Sequence, residues 1–524
     1  MSGAFFQAIQ QMVLTPEIWL IILLSATYGV FVGAIPGLTA TMAVALFVPT
    51  TYWLDPIPAL AAIVTMVACA IFAGDIPTTL LRIPGTPASA AYVDDAYTFT
   101  KQGQADRPLG TALLCSVLGG LFGAVVLMIL GHQLARIAAM FSVAEYFWLY
   151  LLGLSSAVVV SRGSTTKAML GLFIGLILAT VGLSEVHTQA RFTFGQPELF
   201  EGINFIPAMI GLFGLSEVLR NLISLRDSDA VGEGKSSGET RPRKSILHWI
   251  FVEPFVTILG PAVRLFLRRK RHWLRSGSIG AVIGMLPGAG ADIGSWVSIA
   301  ASKRYSEKPE KYGSGSLEGV ADATTANNAA LAGSWIPALV FGIPGDSITA
   351  IVIGVLLMKN VNPGPEIFEK QTALVYSIYL AFILANLILI PIGLMAIRAG
   401  RYVVRVPQRI LLPVILLFCI IGSFAIKGSY FDVGIMLGMG ILGYWLERRE
   451  VPLGPVVLGI ILGGPLEARF IQTMTGSGGS LLAFFNRPAA AILGVITIFL
   501  WVSTAVRNMM AGRQGGDVNN GPSQ

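Results

Sequence analysis

Charge is what this sequence has least of: only 12% of its 524 residues are Asp, Glu, Lys or Arg, about half the share usual in soluble domains. That excludes a soluble domain of any size. Cysteine is nearly absent too. Cys69, Cys115 and Cys419 all lie in apolar runs and match no metal-ligand spacing, so they read as packing residues. The four histidines, His132, His187, His248 and His272, are scattered and outline no zinc site. There is no Gly-x4-Gly-Lys-Ser/Thr segment, so nothing points to ATP hydrolysis. GAGADIG, Gly288 to Gly294, has the wrong glycine spacing for a dinucleotide fingerprint and no strand before it. The first 17 residues hold no Lys or Arg. The basic region of a cleaved signal peptide is therefore missing, and the first hydrophobic helix is expected to be retained.

What the chain does have is apolar length. Hydrophobic residues make up 54%, and long runs recur from end to end, enough for roughly 10 to 12 membrane segments of about 20 residues. The expected fold is an all-α polytopic membrane protein. A net charge of +7 could suggest nucleic acid, but the basic residues gather in loops between apolar segments, which positive-inside sorting explains better. Between Arg220 and Arg275 twelve Lys/Arg face five Asp/Glu, so this connector is placed in the cytoplasm, where contact with anionic lipid is a secondary possibility.

The organising pattern is a helix break. GAVIGMLPG, Gly280 to Gly288, repeats GVFVGAIPG, Gly29 to Gly37, at an offset of 251 (280 minus 29). A second pair, Pro77-x5-Ile83-Pro84-Gly85 and Pro337-x5-Ile343-Pro344-Gly345, recurs at an offset of 260 (344 minus 84). Two motif pairs in the same order indicate an internal duplication. The expected organisation is a first transmembrane repeat over 18–219, a basic cytoplasmic connector with an interfacial helix over 220–275, a second repeat over 276–506 and a disordered tail over 507–524. A polar linker is expected from Asp227 to Arg243, and the interfacial stretch from Ser245 to Leu267. An uncharged N-terminus outside and a basic connector inside give the first half an odd number of crossings, which makes the repeats inverted.

Individual spans are expected over 18–35, 38–53, 56–73, 108–130, 143–160, 168–183, 203–219, 373–397, 411–426, 433–446 and 489–506, with a short helix ending at Ser302. A surface connection is expected from Asp94 to Arg107, and a cytoplasmic loop around Arg398, Arg401, Arg405 and Arg409. The Gly-x3-Gly pairs Gly119/Gly123, Gly171/Gly175, Gly434/Gly438 and Gly459/Gly463 are expected to let helices approach closely.

Breaks at membrane depth survive only inside protein or beside a water-filled cavity, because exposed backbone polar groups are costly there. Each break also frees a half-helix N-terminus, whose open N–H groups and partial positive charge suit a carboxylate. Four such ends are expected, after Pro36, Pro84, Pro287 and Pro344, with Thr86 capping the second. Thr39, Thr41, Gly85, Thr86, Ser89, Gly288, Gly290, Gly345 and Ser347 border them and are the candidate substrate-binding residues. Arg82 is the one basic residue between Trp53 and Asp94. It could clamp a carboxylate, or pair with Asp75 or Asp346. Asp75, Asp292 and Asp346 stand within a few residues of a break, where a carboxylate could hold a coupling Na⁺, carry a proton or simply cap a helix. Asn327 and Asn328, in the small-residue run ATTANNAALAG, suit substrate or ion coordination, or hydrogen bonding between helices. Two other classes share some of these features: an anion channel, which would need no coupling ion, and an intramembrane hydrolase, for which no catalytic set is evident. No enzyme activity and no cofactor are expected.

Several long blocks, GAIPGLTATMAVALFVP, RIPGTPASAAYVDDAYTFTKQGQADRPLG, LPGAGADIGSWVSIAASKRY, GSGSLEGVADATTANNAALAG and GIPGDSITA, resemble in order the large membrane subunit of the tripartite tricarboxylate transporters. The resemblance covers roughly residues 18 to 505. It implies a multi-pass permease of the bacterial inner membrane, importing carboxylates on a Na⁺ or proton gradient. It also implies two partners, a small membrane subunit and a periplasmic solute-binding protein that delivers the substrate. Its substrate region falls on the Pro-Gly breaks, with Asn327 and Asn328 nearby. The family more usually has an amide residue at Arg82 and a small residue at Asp346, which bears on the identity of the carboxylate.

Overall fold

The computed structural model describes residues 2–161, 164–184, 189–227, 255–403 and 408–516. Most of the expected polar linker, the start of the interfacial stretch, His187, His248, Arg405 and residues 517–524 lie outside these ranges. The rest is almost entirely helical. In chain order the helices are α1 (Ser2–Val13), α2 (Pro16–Gly33), α3 (Ala40–Thr51), α4 (Pro56–Ala73), α5 (Asp75–Leu81), α6 (Val93–Lys101), α7 (Asp106–Ala138), α8 (Val143–Val160), α9 (Thr165–Ala179), α10 (Phe205–Met209), α11 (Ser216–Asp227) and α12 (Gly260–Arg268). They continue as α13 (Lys270–Gly284), α14 (Gly290–Arg304), α15 (Leu317–Phe341), α16 (Ser347–Met358), α17 (Ile367–Lys370), α18 (Thr372–Val403), α19 (Gln408–Lys427), α20 (Tyr430–Arg448), α21 (Leu453–Gly476) and α22 (Pro488–Gly516). Among the described residues seven helices are long and apolar enough to cross a membrane, and five more apolar helices are shorter.

The ends of these helices follow from local chemistry. Pro16 and Glu17 open α2, where a missing N–H costs nothing and a carboxylate complements the helix dipole. Ser142 and Glu145 close a capping box on α8. Gly342, at φ 68°, ends α15 in the left-handed conformation that a side chain resists.

The chain divides into two compact units. The first comprises Met1–Ala138 and Asn204–Arg448 and holds every helix break. In it α15 packs along α7, α13 and α14, while α4 packs along α2 and α18. The second comprises Ala139–Ile203 and Arg449–Gln524, in which α21 lies against α8 and α9, and α8 against α22. Here Trp148 donates to the Phe484 carbonyl at 2.8 Å. Lys167 meets Glu450 at 2.7 Å, and that hydrogen bond holds the Glu450 carboxyl below its ordinary range.

Several boundaries differ from expectation. Helix α21 falls where no span was expected, because Gly463, Gly464, Pro465, Glu467 and Arg469 interrupt its apolar run. Asp94 to Lys101 is not a bare connection but most of α6. Arg398 and Arg401 belong to α18 rather than to a loop. The last helix continues to Gly516. Gly434 and Gly438 face open space instead of a neighbouring helix. The other three glycine pairs do meet neighbours: Gly119 and Gly123 lie against the carbonyls of Thr325 and Ala329, and Gly175 against that of Val456.

Candidate functional site

The duplicated glycines act alike in both halves. An added Cβ on Gly29 or Gly33 would lie 2.3 Å from the carbonyl oxygen of Met66 or Ala70. On Gly280 or Gly284 it would lie 2.1 or 2.3 Å from that of Ala326 or Ala330. The partners are related by the offsets read from sequence: 251 for the glycines, 260 for the carbonyls (326 minus 66, 330 minus 70). Gly85 against Gly74 and Gly345 against Ser334 repeat the relation, again 260 apart (345 minus 85, 334 minus 74). Close approach therefore positions the first and third breaks against the following long helix, and the second and fourth against the preceding one.

At the first break, Gly37 turns at φ 88°. Thr39 caps α3 by accepting from the Met42 N–H at 3.2 Å, and Thr41 follows in the first turn, both half-buried. The Asn221 amide donates to the Gly37 carbonyl at 3.4 Å, and α3 packs on α16 beyond the fourth break.

The second break is not the helix start that Thr86 and Pro87 suggest. A turn and one 3-10 turn, Ser89–Ala91, intervene before α6. The reason is local: the N–H of Gly85 donates to Thr78 Oγ1 at 3.1 Å, that of Thr86 to Ser89 Oγ at 3.1 Å and that of Ser89 to Thr86 Oγ1 at 3.1 Å. Side-chain oxygens thus take the donors that a half-helix would leave open. Arg82 ends α5 at φ 61°. Its partner is neither Asp75 nor Asp346 but Asp94, at 2.7 Å, in a half-exposed pair. Asp75, buried at the start of α5, accepts from the Tyr92 hydroxyl.

The third and fourth breaks touch. Gly288 and Gly290 both adopt positive φ, 77° and 71°, and the Gly290 N–H donates to the Gly345 carbonyl at 3.2 Å. Asp346 caps α16, accepting from the Thr349 N–H at 2.7 Å, with Ser347 as the first helical residue. Its carboxylate fills the anion position of its own helix. The second break joins them: Asp292 accepts from the Ala88 N–H at 3.0 Å, and the Trp296 indole donates to the Pro87 carbonyl at 3.1 Å. Of the three helices that start directly after a break, α3 is capped by Thr39 and α16 by Asp346, while α14 has no side-chain cap. The α14 N-terminus is thus the one whose first-turn donors are not taken by a capping side chain.

Asn327 and Asn328 lie in α15 beside Ala326 and Ala330, against which α13 packs. Both are buried, at 4% and 1% exposure, and neither side-chain oxygen has a hydrogen-bond partner. The Asn328 amide donates to its own helix, at the Thr324 carbonyl. Buried polar atoms are nearly always satisfied, so two orphan acceptors on one turn mark a place for a ligand or water.

Two buried carboxylates that tie elements together escape a reading by motif. Asp95 Oδ1 accepts from the N–H groups of Gly313, Gly315 and Ser316 at 2.8, 2.9 and 2.9 Å, which ties α6 to the loop before α15. Asp322, 3% exposed, meets Arg275 at 3.0 Å, Arg269 at 3.5 Å and the Ser302 hydroxyl. Two carboxylates, Glu318 and Asp322, in a small-residue helix were the available signal.

The family model described as "Tripartite tricarboxylate transporter TctA family" matches residues 19–458. Among curated proteins the chain is 34% identical over 465 residues to an uncharacterized 52.8 kDa protein in the TAR-I ttuC' 3' region of Agrobacterium vitis, covering 89% of this chain and 88% of that one. It is also 34% identical over 232 residues to an uncharacterized protein in the TAR-II ttuC' 3' region of the same organism, covering 44% of this chain and 96% of that one. No solved structure matches the chain.

Proposed function

Because the chain belongs to the tripartite tricarboxylate transporter TctA family and is a multi-pass membrane subunit of that kind, we propose that it imports tri- or dicarboxylates through its joined helix breaks, driven by a Na⁺ or proton gradient. The observation that carries this reading is the junction of three breaks from both halves, through Ala88 with Asp292 and Gly290 with Gly345, packed along the helix α15 that also carries the orphan oxygens of Asn327 and Asn328.

In this reading the N-terminus of α14, which no side chain caps, attracts a substrate carboxylate with the positive end of its helix dipole. Gly288 and Gly290 keep the approach clear of side chains. Thr39, Thr41, Thr86, Ser89 and Ser347 contribute hydroxyls around the breaks, with Gly85 and Gly345 supplying backbone. Arg82 leaves its exposed partner Asp94 to clamp a second carboxylate, a low-cost exchange because a half-exposed ion pair is worth ~1 kcal/mol or less. Asn327 and Asn328 offer neutral oxygens to a coupling cation or hydrogen bonds to the substrate. Asp75, Asp292 and Asp346 are the candidate carboxylates for that ion, each released from its present partner when the ion binds.

Two inverted repeats would present their breaks from opposite membrane faces, giving one site alternating access. A periplasmic solute-binding protein would deliver the substrate and a small membrane subunit would complete the assembly, in the bacterial inner membrane. The test is labelled-carboxylate uptake into proteoliposomes holding all three components, with an imposed Na⁺ gradient exchanged for a proton gradient. One gradient should drive uptake and the other should not. Uptake that ignores both, or that needs no binding protein, would defeat the proposal.

A further inference from the structure

A cavity of about 640 Å³ lies away from the breaks, between the end of α7, the start of α18 and Phe5 of α1. Its size is that of an ordinary small-ligand site. From Thr372 to Ile383, both of which line it, α18 rises eleven residues, ~16 Å at 1.5 Å per residue. That is about one leaflet of a hydrocarbon core roughly 30 Å thick. Polarity is graded along this depth. Arg136 stands exposed near the end of α7, with no ion pair among the described residues. Deeper, His132 and Tyr379 line the cavity, and His132 Nε2 and the Tyr379 hydroxyl are buried there without a hydrogen-bond partner, Tyr379 being only 6% exposed. Below them the walls are Ile129, Leu380 and Ile383.

We propose that this cavity binds one glycerophospholipid, its phosphate on Arg136, an ester carbonyl on the Tyr379 hydroxyl and an acyl chain along Ile129 and Ile383. A guanidinium suits a phosphate, through charge-assisted hydrogen bonds. A buried hydroxyl needs an acceptor, and an ester carbonyl supplies one at the depth between headgroup and chain. A partner's transmembrane helix is a poorer fit, because it would need an apolar face through both leaflets whereas the cavity ends at one. The leaflet is the outward-facing one: α7 begins just after Lys101 and holds Arg107 in its first turn, and α18 carries Arg398 near its other end, which puts the cavity opposite the basic side. Only this leaflet assignment rests on the orientation used above; the site itself stands apart from the transport reading.

The test is native mass spectrometry of the full chain released from nanodiscs of phosphatidylglycerol, after detergent washing that strips loosely held lipid. Wild type should retain one phospholipid per chain. Arg136→Ala should lower its occupancy about tenfold, as loss of one charge-assisted hydrogen bond does. Tyr379→Phe should lower it severalfold, and Ile129→Trp, which fills the base, should abolish it. Equal retention by wild type and by Arg136→Ala and Tyr379→Phe would overturn the proposal even if Ile129→Trp failed to fold. So would thermal protection by inorganic phosphate equal to that by the lipid, which would assign Arg136 to a free anion. Unchanged lipid retention with loss of a co-purifying small membrane subunit would assign the groove to that subunit's helix instead, and would likewise overturn it.

Discussion

Gly280 lies so close to the carbonyl oxygen of Ala326 that a methyl group on it would come within 2.1 Å. Gly29 holds the equivalent place against Met66 in the other half, at 2.3 Å. These contacts set the angle at which each break meets the following helix, and no backbone carbonyl can move away without shifting its whole helix. Gly280→Ala and Gly29→Ala should each destabilise the protein by about 1–3 kcal/mol, the usual cost of overpacking. Gly434→Ala, which meets open space, should not. Thermal unfolding in detergent checks this, and equal midpoints for all three variants would contradict the packing argument.

Asn327→Ala should leave stability unchanged or improved while uptake collapses. Its oxygen is buried and unsatisfied, a condition that costs about 1–3 kcal/mol in the empty protein, and evolution keeps such a cost where a ligand later satisfies it. The check pairs a thermal midpoint with transport on the same preparation. A variant that unfolds at lower temperature yet transports normally would make Asn327 a structural residue.

Arg82→Ala should raise the half-saturating substrate concentration at least about tenfold, the loss of one charged hydrogen bond. Stability should barely move, because the pair with Asp94 is half exposed. Uptake against substrate concentration in the assembled system reads this directly. Wild-type affinity in the variant would remove Arg82 from the site.

Asp322→Ala should be far more damaging to folding than Arg82→Ala. It strands Arg275 beside a buried position, while Arg269 keeps Glu318 as a partner, and breaking a buried ion pair costs ~3–5 kcal/mol. Loss of monodisperse protein on size-exclusion chromatography is the expected result. A well-behaved Asp322→Ala would show that water reaches this cluster.

How far the fold could be read in advance varies with the kind of signal. The breaks and their offsets were legible because Pro-Gly pairs are rare in apolar runs and recur at fixed spacing, and the contacts of Gly29, Gly33, Gly280 and Gly284 reproduce that spacing in space. The true partner of Arg82 was not legible, since Asp94 is twelve residues away across a turn whose shape depends on three hydroxyls, Thr78, Thr86 and Ser89. Helix α21 was hidden by its own glycines and charges, which pack in the second unit instead of ending a helix. The roles of Asp95 and Asp322 depend on partners more than 40 residues away, a relation that no local pattern reports.

The most direct test of the central claim is the steady-state accumulation ratio of a labelled tricarboxylate in proteoliposomes containing this subunit with its two expected partners. Concentration inside above that outside, dependent on an imposed Na⁺ or proton gradient and lost in Asn327→Ala, is the result predicted for a coupled site at the joined breaks. A ratio that settles at one whatever gradient is imposed would contradict it and make the chain a passive anion pathway.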